Sequence, residues 1–285
     1  MLLKDNFEGF QHLGIPVENI TRAKNWYIKV LGFKVIYETV LKSDTGDTRV
    51  SFLKLKDIVI ELYQPSGEEL EEIKARDKGH IDHLAISMQD IYTGLQSALS
   101  KGAVLDASTP YGPVLVTCPG KVSLLFANLK GPQGEIVQFQ QDSLAKLAGR
   151  KDNINGWAHL GIAVTDLDRS KMFYGNFGFR EIMNAVVKDR YCLVKVSVLE
   201  KSGFKIELSQ PEGICLEAAK IRKTGHIDHV AFRVADVEKA FKELKAAGFT
   251  LLQDSPVFLP FWSNGVKYID ILGPDGEKVE FIQIL

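Results

Sequence analysis

Apolar and polar positions alternate through four segments that begin alike: His12 (HLGIPV), His83 (HLAISM), His159 (HLGIAV) and His229 (HVAFRV). Such alternation marks a strand with two unlike faces. In the first copy Leu13, Ile15 and Val17 share one face, while His12, Gly14 and Pro16 share the other. The other copies repeat this, placing His83 with Ala85 and Ser87, His159 with Gly161 and Ala163, and His229 with Ala231 and Arg233. A helix-like stretch follows each strand and ends at a glycine: Gly32, Gly102, Gly178 or Gly248. In the third copy Asp166 is placed to cap a helix through Arg169, Met172, Phe173 and Tyr174. In the fourth, Asp236 opens a helix with Val237, Ala240, Phe241 and Leu244 on one stripe. Alternation then resumes in runs such as YCLVKVSVLE and GFKIELSQ. The pattern predicts one βαβββ unit of about 55–70 residues used four times. An α+β fold follows, with paired half-sheets and a helix on the outer face of each.

The two halves of the chain match each other, His12 with His159, Glu61 with Glu207 and His83 with His229. GHIDH occurs in both halves, as do GPQGEIVQF and GPDGEKVEF, which read as tight turns before a last strand. Residues 142–156 (DSLAKLAGRKDNING) are polar and lack alternation, so they are expected to link a first domain (1–141) to a second (157–285).

Bulk composition narrows the function classes. The 285 residues are 45% hydrophobic and 25% charged, with a formal net charge of −1. That balance gives no electrostatic reason to expect nucleic acid or a membrane surface as partner. MLLKDNFEGFQ lacks a signal-peptide core, and no stretch of eighteen apolar residues occurs. Cys118, Cys192 and Cys215 form no CxxC pair, fitting structural thiols in a reduced cytoplasm. The expected partner is a small-molecule substrate, and the protein is expected to be a monomer or homodimer.

Each histidine stands on the non-core face beside residues too small to cover it, as a concave cup requires. Four further strands carry an acid or amide between apolar neighbours: Glu61, Gln138, Glu207 and Glu280. A carboxylate facing a partly dry cup is costly unless paired or metal-bound. For one residue, a solvated strand position is explanation enough; solvation does not demand histidine at four equivalent places. Imidazole with carboxylate suits Zn, Ni, Co, Mn or Fe(II) and leaves coordination positions open. His80 and His226 lie three residues before two of these histidines and are expected to be structural, in the entry loops.

The repeated H-[LV]-[GA]-[IF]-x-[VM], the Asp-capped helix ending in LGF or FGF, IEL-x-QP, GHIDH and GPDGEKVEF resemble the vicinal oxygen chelate superfamily. Glyoxalase I, methylmalonyl-CoA epimerase, extradiol dioxygenases and bleomycin or fosfomycin resistance proteins belong to it. The resemblance covers nearly the whole chain as two tandem domains. It implies His159, Glu207, His229 and Glu280 as one complete ligand set, and His12, Glu61, His83 and Gln138 as a set departing at its last position. Gln can coordinate through its carbonyl but cannot take a proton. Family members also exchange modules, which would join His12 and Glu61 to His229 and Glu280, and His159 and Glu207 to His83 and Gln138. Both pairings stay open at this point.

Three functions are implied. The first is a metal-dependent lyase or isomerase of the glyoxalase I type, acting on a small carbonyl or thiol adduct through a metal-stabilised enediolate. Glu280 would move the proton with Glu207 opposite. The second is an extradiol-type Fe(II) dioxygenase using His159, His229 and Glu280. The third is a non-catalytic ligand-binding or resistance protein with an aromatic cup near Phe258, Phe261, Trp262 and Tyr268. Arg233 and Trp262 are candidate substrate contacts, with Arg190 and Lys267 behind them.

Overall fold

The computed structural model describes all residues except Thr45, 118–122, 143–152 and 189–190, with Asp142 described by backbone only. Four modules follow one another. The first comprises β1 (Phe7–Pro16), α1 (Ile20–Trp26), β2 (Lys34–Leu41), β3 (Thr48–Leu55) and β4 (Ile58–Gln64). α2 (Glu68–Lys74) leads to the second: β5 (Ile81–Met88), α3 (Ile91–Ser100), β6 (Val104–Leu105), β7 (Val114–Val116), β8 (Leu124–Lys130) and β9 (Ile136–Asp142). The third holds β10 (Ile154–Ala163), α4 (Leu167–Asn176), β11 (Arg180–Lys188), β12 (Leu193–Lys201) and β13 (Phe204–Pro211). α5 (Ile214–Lys220) leads to the fourth: β14 (His229–Val234), α6 (Val237–Ala246), β15 (Val257–Leu259), β16 (Val266–Leu272) and β17 (Lys278–Ile284). The connecting helices α2 and α5 were not expected from the repeat. The expected linker, 142–156, lies largely outside the described residues.

Local chemistry matches the expected helices. Asp166 and Asp236 accept from the backbone N–H of Arg169 and Lys239 at the starts of α4 and α6. Gly178 and Gly248 take positive φ just beyond their ends, which costs glycine no Cβ clash. The first helix continues past Trp26 as a π-helical turn to Leu31 before Gly32 stops it.

Strand pairing does not follow chain order. One sheet runs β15-β16-β17-β14-β1-β4-β3-β2, so it joins the first module to the fourth. The other runs β11-β12-β13-β10-β5-β9-β8-β6 and joins the third module to the second. Each cup therefore takes one module from each half of the chain. The expected core faces are buried: Leu13, Ile15, Leu84, Ile86, Leu160, Ile162, Val230 and Phe232 are at most 1% exposed. They share one core with the inner stripes of the helices, on the side of each sheet away from its cup. An aromatic seam crosses between the sheets, with Phe10 stacked on Trp157 and Phe204 at 5.0 and 4.5 Å.

The GPQGE and GPDGE turns tie one sheet to the other. Tyr27, wholly buried, donates its hydroxyl to Glu135 Oε1 at 2.6 Å, and Tyr174 repeats this with Glu277 at 3.1 Å. Burial pushes the Glu135 carboxyl up and that of Glu277 up to about 7. Tyr27→Phe removes a donor from a buried acid and should cost about 1.5–3 kcal/mol in urea unfolding. An unchanged midpoint would show that this clamp contributes nothing.

Candidate metal centre

The centre of the first sheet builds the first cup. β1 and β14 run antiparallel with Gly14 opposite His229 and His12 opposite Ala231. β4 lies parallel to β1 with Glu61 level with Gly14, and β17 lies parallel to β14 with Glu280 level with Ala231. Four polar side chains therefore converge on one face. The Nε2 atoms of His12 and His229 are 3.0 Å apart. Glu61 Oε2 lies 3.1 Å from His12 Nε2 and 3.7 Å from His229 Nε2. Glu280 lies 3.8 Å from the former and 3.9 Å from the latter. Gly14 is the seat of this arrangement, because a Cβ there would stand 2.0 Å from Cε1 of His229.

The electrostatics of the cup explain its orientation. His229 Nδ1 donates to Asp228 Oδ2 at 3.0 Å, which turns Nε2 inward. Asp228 is 2% exposed and paired with Arg76 at 2.8 Å and Lys278 at 2.6 Å; burial pushes its carboxyl up, but the bond from His229 and the charge of Lys278 outweigh this and hold its pKa well below the usual range. His12 Nδ1 meets Gln11 Oε1. Burial pulls His12 down despite Glu61. For His229 burial also acts downward, but Asp228, Glu280 and Glu61 outweigh it and hold the ring up at about 9. Burial pushes Glu280 well up, with Asp270 and Glu61 adding like charge, and its Oε1 has no hydrogen-bond partner among the described residues. Asp270, opposite Glu280 on β16, is also raised by burial. A cavity of 220 Å³ opens here, bordered by Glu61, His229, Asp270, Lys278, Glu280 and Phe261 among others.

The second sheet repeats the plan with changed parts. His83 and His159 bring their Nε2 atoms to 2.9 Å, and Glu207 Oε2 lies 3.8 Å from His159. Gly161 seats His83 as Gly14 seats His229. His83 Nδ1 meets Asp82 at 3.1 Å, and Arg222 holds Asp82 at 2.9 Å. Burial, then the nearby charges of His83 and Lys205, lower His159 far below its ordinary value, and burial raises Glu207. Gln138 donates to Asn128 Oδ1 at 3.2 Å. The cavity measures 440 Å³.

Donor chemistry and spacing suit a metal in either cup. Neighbouring ligands about 2.1 Å from one ion stand roughly 3.0–3.4 Å apart. His12, His229 and Glu280 offer donors within 4.8 Å of one another, as do His83, His159 and Glu207. Of the two pairings left open above, the exchanged one is found. His159 and Glu207 stand in the second sheet while His229 and Glu280 stand in the first. Glu207 therefore does not oppose Glu280, and the triad His159, His229 and Glu280 does not assemble.

Other expected contacts fall elsewhere. Arg233 is four residues beyond His229, about 13 Å along the strand; it is exposed, pairs with Glu8 at 2.5 Å and borders neither cavity. Trp262 packs on Phe52 and Tyr37 at 4.9 and 5.4 Å, behind the cup wall that Phe261 forms. Lys267 pairs with Glu238. Arg190 and Cys118 lie outside the described residues; Cys192 and Cys215 are half-buried. His80 is buried and bonded to the carbonyls of Ala163 and Arg222. Asp228, Asp270, Lys278 and Arg76 were missed, although the Asp of GHIDH, preceding a ligand-type His in both halves, was a visible signal.

A family model described as the Glyoxalase/Bleomycin resistance protein/Dioxygenase superfamily matches residues 11–113 and 158–261. The chain belongs to that superfamily. Glyoxalase I from Zea mays superposes with a TM-score of 0.71 at 22% identity, covering 98% of this chain and 94% of that one. A putative dioxygenase from Bacillus subtilis superposes with a TM-score of 0.63 at 13% identity, covering 97% and 85%. In sequence, the uncharacterized protein YwbC of Bacillus subtilis is 26% identical over 130 residues, 44% of this chain and 94% of its own length. No helix among the described residues is long and apolar enough to cross a membrane.

Two expectations follow for this superfamily member. The folded cup favours protonated His229 up to about pH 9, against 6.5 when unfolded. The resulting stability is complete below pH 6.5 and is lost as pH rises through 9, so the metal-free urea midpoint should fall across that interval. A flat midpoint would contradict the charged cup. Gly14→Ala forces the His229 ring aside and should weaken Co²⁺ binding at least tenfold with unchanged circular dichroism; undiminished affinity would remove Gly14 as the seat.

Proposed function

We propose that the protein is a divalent-metal-dependent lyase or isomerase of the glyoxalase type, acting in the first cup on a small carbonyl compound or its thiol adduct. The observation that carries this is the convergence of His12, Glu61, His229 and Glu280, with the Glu280 Oε1 atom left without a hydrogen-bond partner among the described residues. Two imidazoles and two carboxylates would hold the ion and leave positions for two neighbouring substrate oxygens. When bound, the ion would polarise those oxygens and favour negative charge developing on them.

The chain's own groups do the rest. Asp228 keeps His229 turned inward, and Gln11 does the same for His12. Glu280 is the proton carrier: burial raises its pKa, which fits a carboxylate that must take a proton from carbon and return it. Asp270 stands directly across from it as a like charge that strengthens this basicity. Phe261 forms one apolar wall, and Phe52 stands edge-on to His12 at 5.4 Å. The second cup has Gln138, which cannot carry a proton, at the position that Glu280 holds in the first.

The test begins with metal content per chain on protein purified without chelators or a His-tag. One or two tightly held ions, reduced in His229→Ala, are expected. An α-ketoaldehyde mixed with glutathione then serves as trial substrate. Glu280→Gln should lower turnover by at least a thousandfold while leaving the unfolding midpoint within about 1 kcal/mol of wild type, a surface-like cost. Full activity in that variant would remove the proposed base, and absence of metal after reloading with each ion would remove the enzyme reading.

A further inference from the structure

The two cups share one plan, so equivalent positions can be compared directly. Opposite the paired strands, Glu280, Asp270 and Lys278 in the first cup correspond to Gln138, Asn128 and Ile136 in the second. Three ionisable groups on the floor are thus replaced by two amides and a hydrocarbon. Three wall positions change in the same sense. Thr48 corresponds to Val194, Tyr37 to Met183 and Tyr268 to Phe126. Phe52, whose ring crowds His12, corresponds to Val198. The cavity doubles from 220 to 440 Å³, which brings it into the range of roughly 300–1,000 Å³ typical of small-molecule sites.

A second feature points to a ligand. Gln140 borders the second cavity, and its Oε1 is buried with no hydrogen-bond partner among the described residues. Ile282 holds the equivalent place in the first sheet, so this amide acceptor has no counterpart in the first cup. A buried acceptor without a donor costs about 1–3 kcal/mol, which a donor supplied by an occupant would recover. Beyond a metal ion at His83, His159 and Glu207, a charged organic occupant would find poor company: Glu207 is the one carboxylate bordering the cavity among the described residues, and Lys188 is exposed at its mouth. The charged group of such an organic molecule would be left desolvated against Val114, Val116, Leu124 and Val196.

We infer that the second cup is a separate, non-catalytic binding site for an uncharged apolar molecule of ring size bearing one hydroxyl, which donates to Gln140. The site is independent of the chemistry proposed for the first cup, and its test uses neither metal nor turnover.

The probe is 2-naphthol at neutral pH, followed by its fluorescence, with 2-methoxynaphthalene as the partner lacking a donor. Wild type is expected to bind one 2-naphthol per chain saturably, and the methoxy compound about tenfold more weakly. Gln140→Leu should erase that difference. Val194→Trp fills the second cup and should reduce 2-naphthol affinity at least tenfold, while Thr48→Trp, its counterpart in the first cup, should leave it unchanged. If Val194→Trp loses its circular dichroism, Val187→Asp sets a charge in the same wall without overfilling it and should give the same loss. Three results would overturn the inference: no saturable binding, affinity unaffected by blocking the second cup, or an equal loss with Thr48→Trp.

Discussion

Antiparallel pairing of β1 with β14, and of β5 with β10, is the constraint from which both cups follow. These strands carry the four histidines, and the pairing sets Gly14 opposite His229 and Gly161 opposite His83. The imidazole rings of His229 and His83 lie over glycines because a Cβ would occupy the same space. Parallel neighbours then bring each carboxylate or amide level with the central pair. A one-residue slip would turn every one of these side chains to the opposite face. The apolar face of the same strands is wholly buried, and that burial fixes the register.

Crossing the chain halves has a structural cost that is met where the entry loops touch. Gly79 and Gly225 approach so closely that a Cβ on either would strike the other's backbone. Around this crossing the two GHIDH segments exchange support. Arg76 reaches Asp228 and the carbonyl of Gly225; Arg222 reaches Asp82 and the carbonyl of Gly79. Each Asp in turn orients one histidine of a cup. Buried charges of this kind are costly to desolvate and add little net stability, but they fix geometry. Here the fixed geometry is the direction of two Nε2 atoms, one in each sheet.

Internal duplication lets the two cups diverge without disturbing the fold. The core faces are apolar in all four modules, while floor and wall positions on the concave side differ between the two cups. In the first cup this leaves acids, a lysine and an aromatic wall around a small space. In the second it leaves amides and aliphatic walls around a larger one. The superfamily to which the chain belongs includes glyoxalases, resistance proteins and dioxygenases by its own description, which is the range such divergence permits.

Much of this was legible in the residues themselves. Alternation around His12, His83, His159 and His229 marked the strands and named the inward faces, because a strand's side-chain period is fixed by its backbone. Asp166, Asp236 and the following glycines marked the helices by local hydrogen bonding and positive φ, which also need no distant partner. The amide at Gln138 separated it chemically from Glu280. The sequence could not place β14 beside β1, since repeats alike enough to be recognised are alike enough to pair either way. Nor could it show that Glu207 stands apart from Glu280, that Arg233 lies beyond the cup and pairs with Glu8, or that Arg76 reaches Asp228. Those relations join residues far apart in the chain, and only the packing of four similar modules around shared apolar faces decides them.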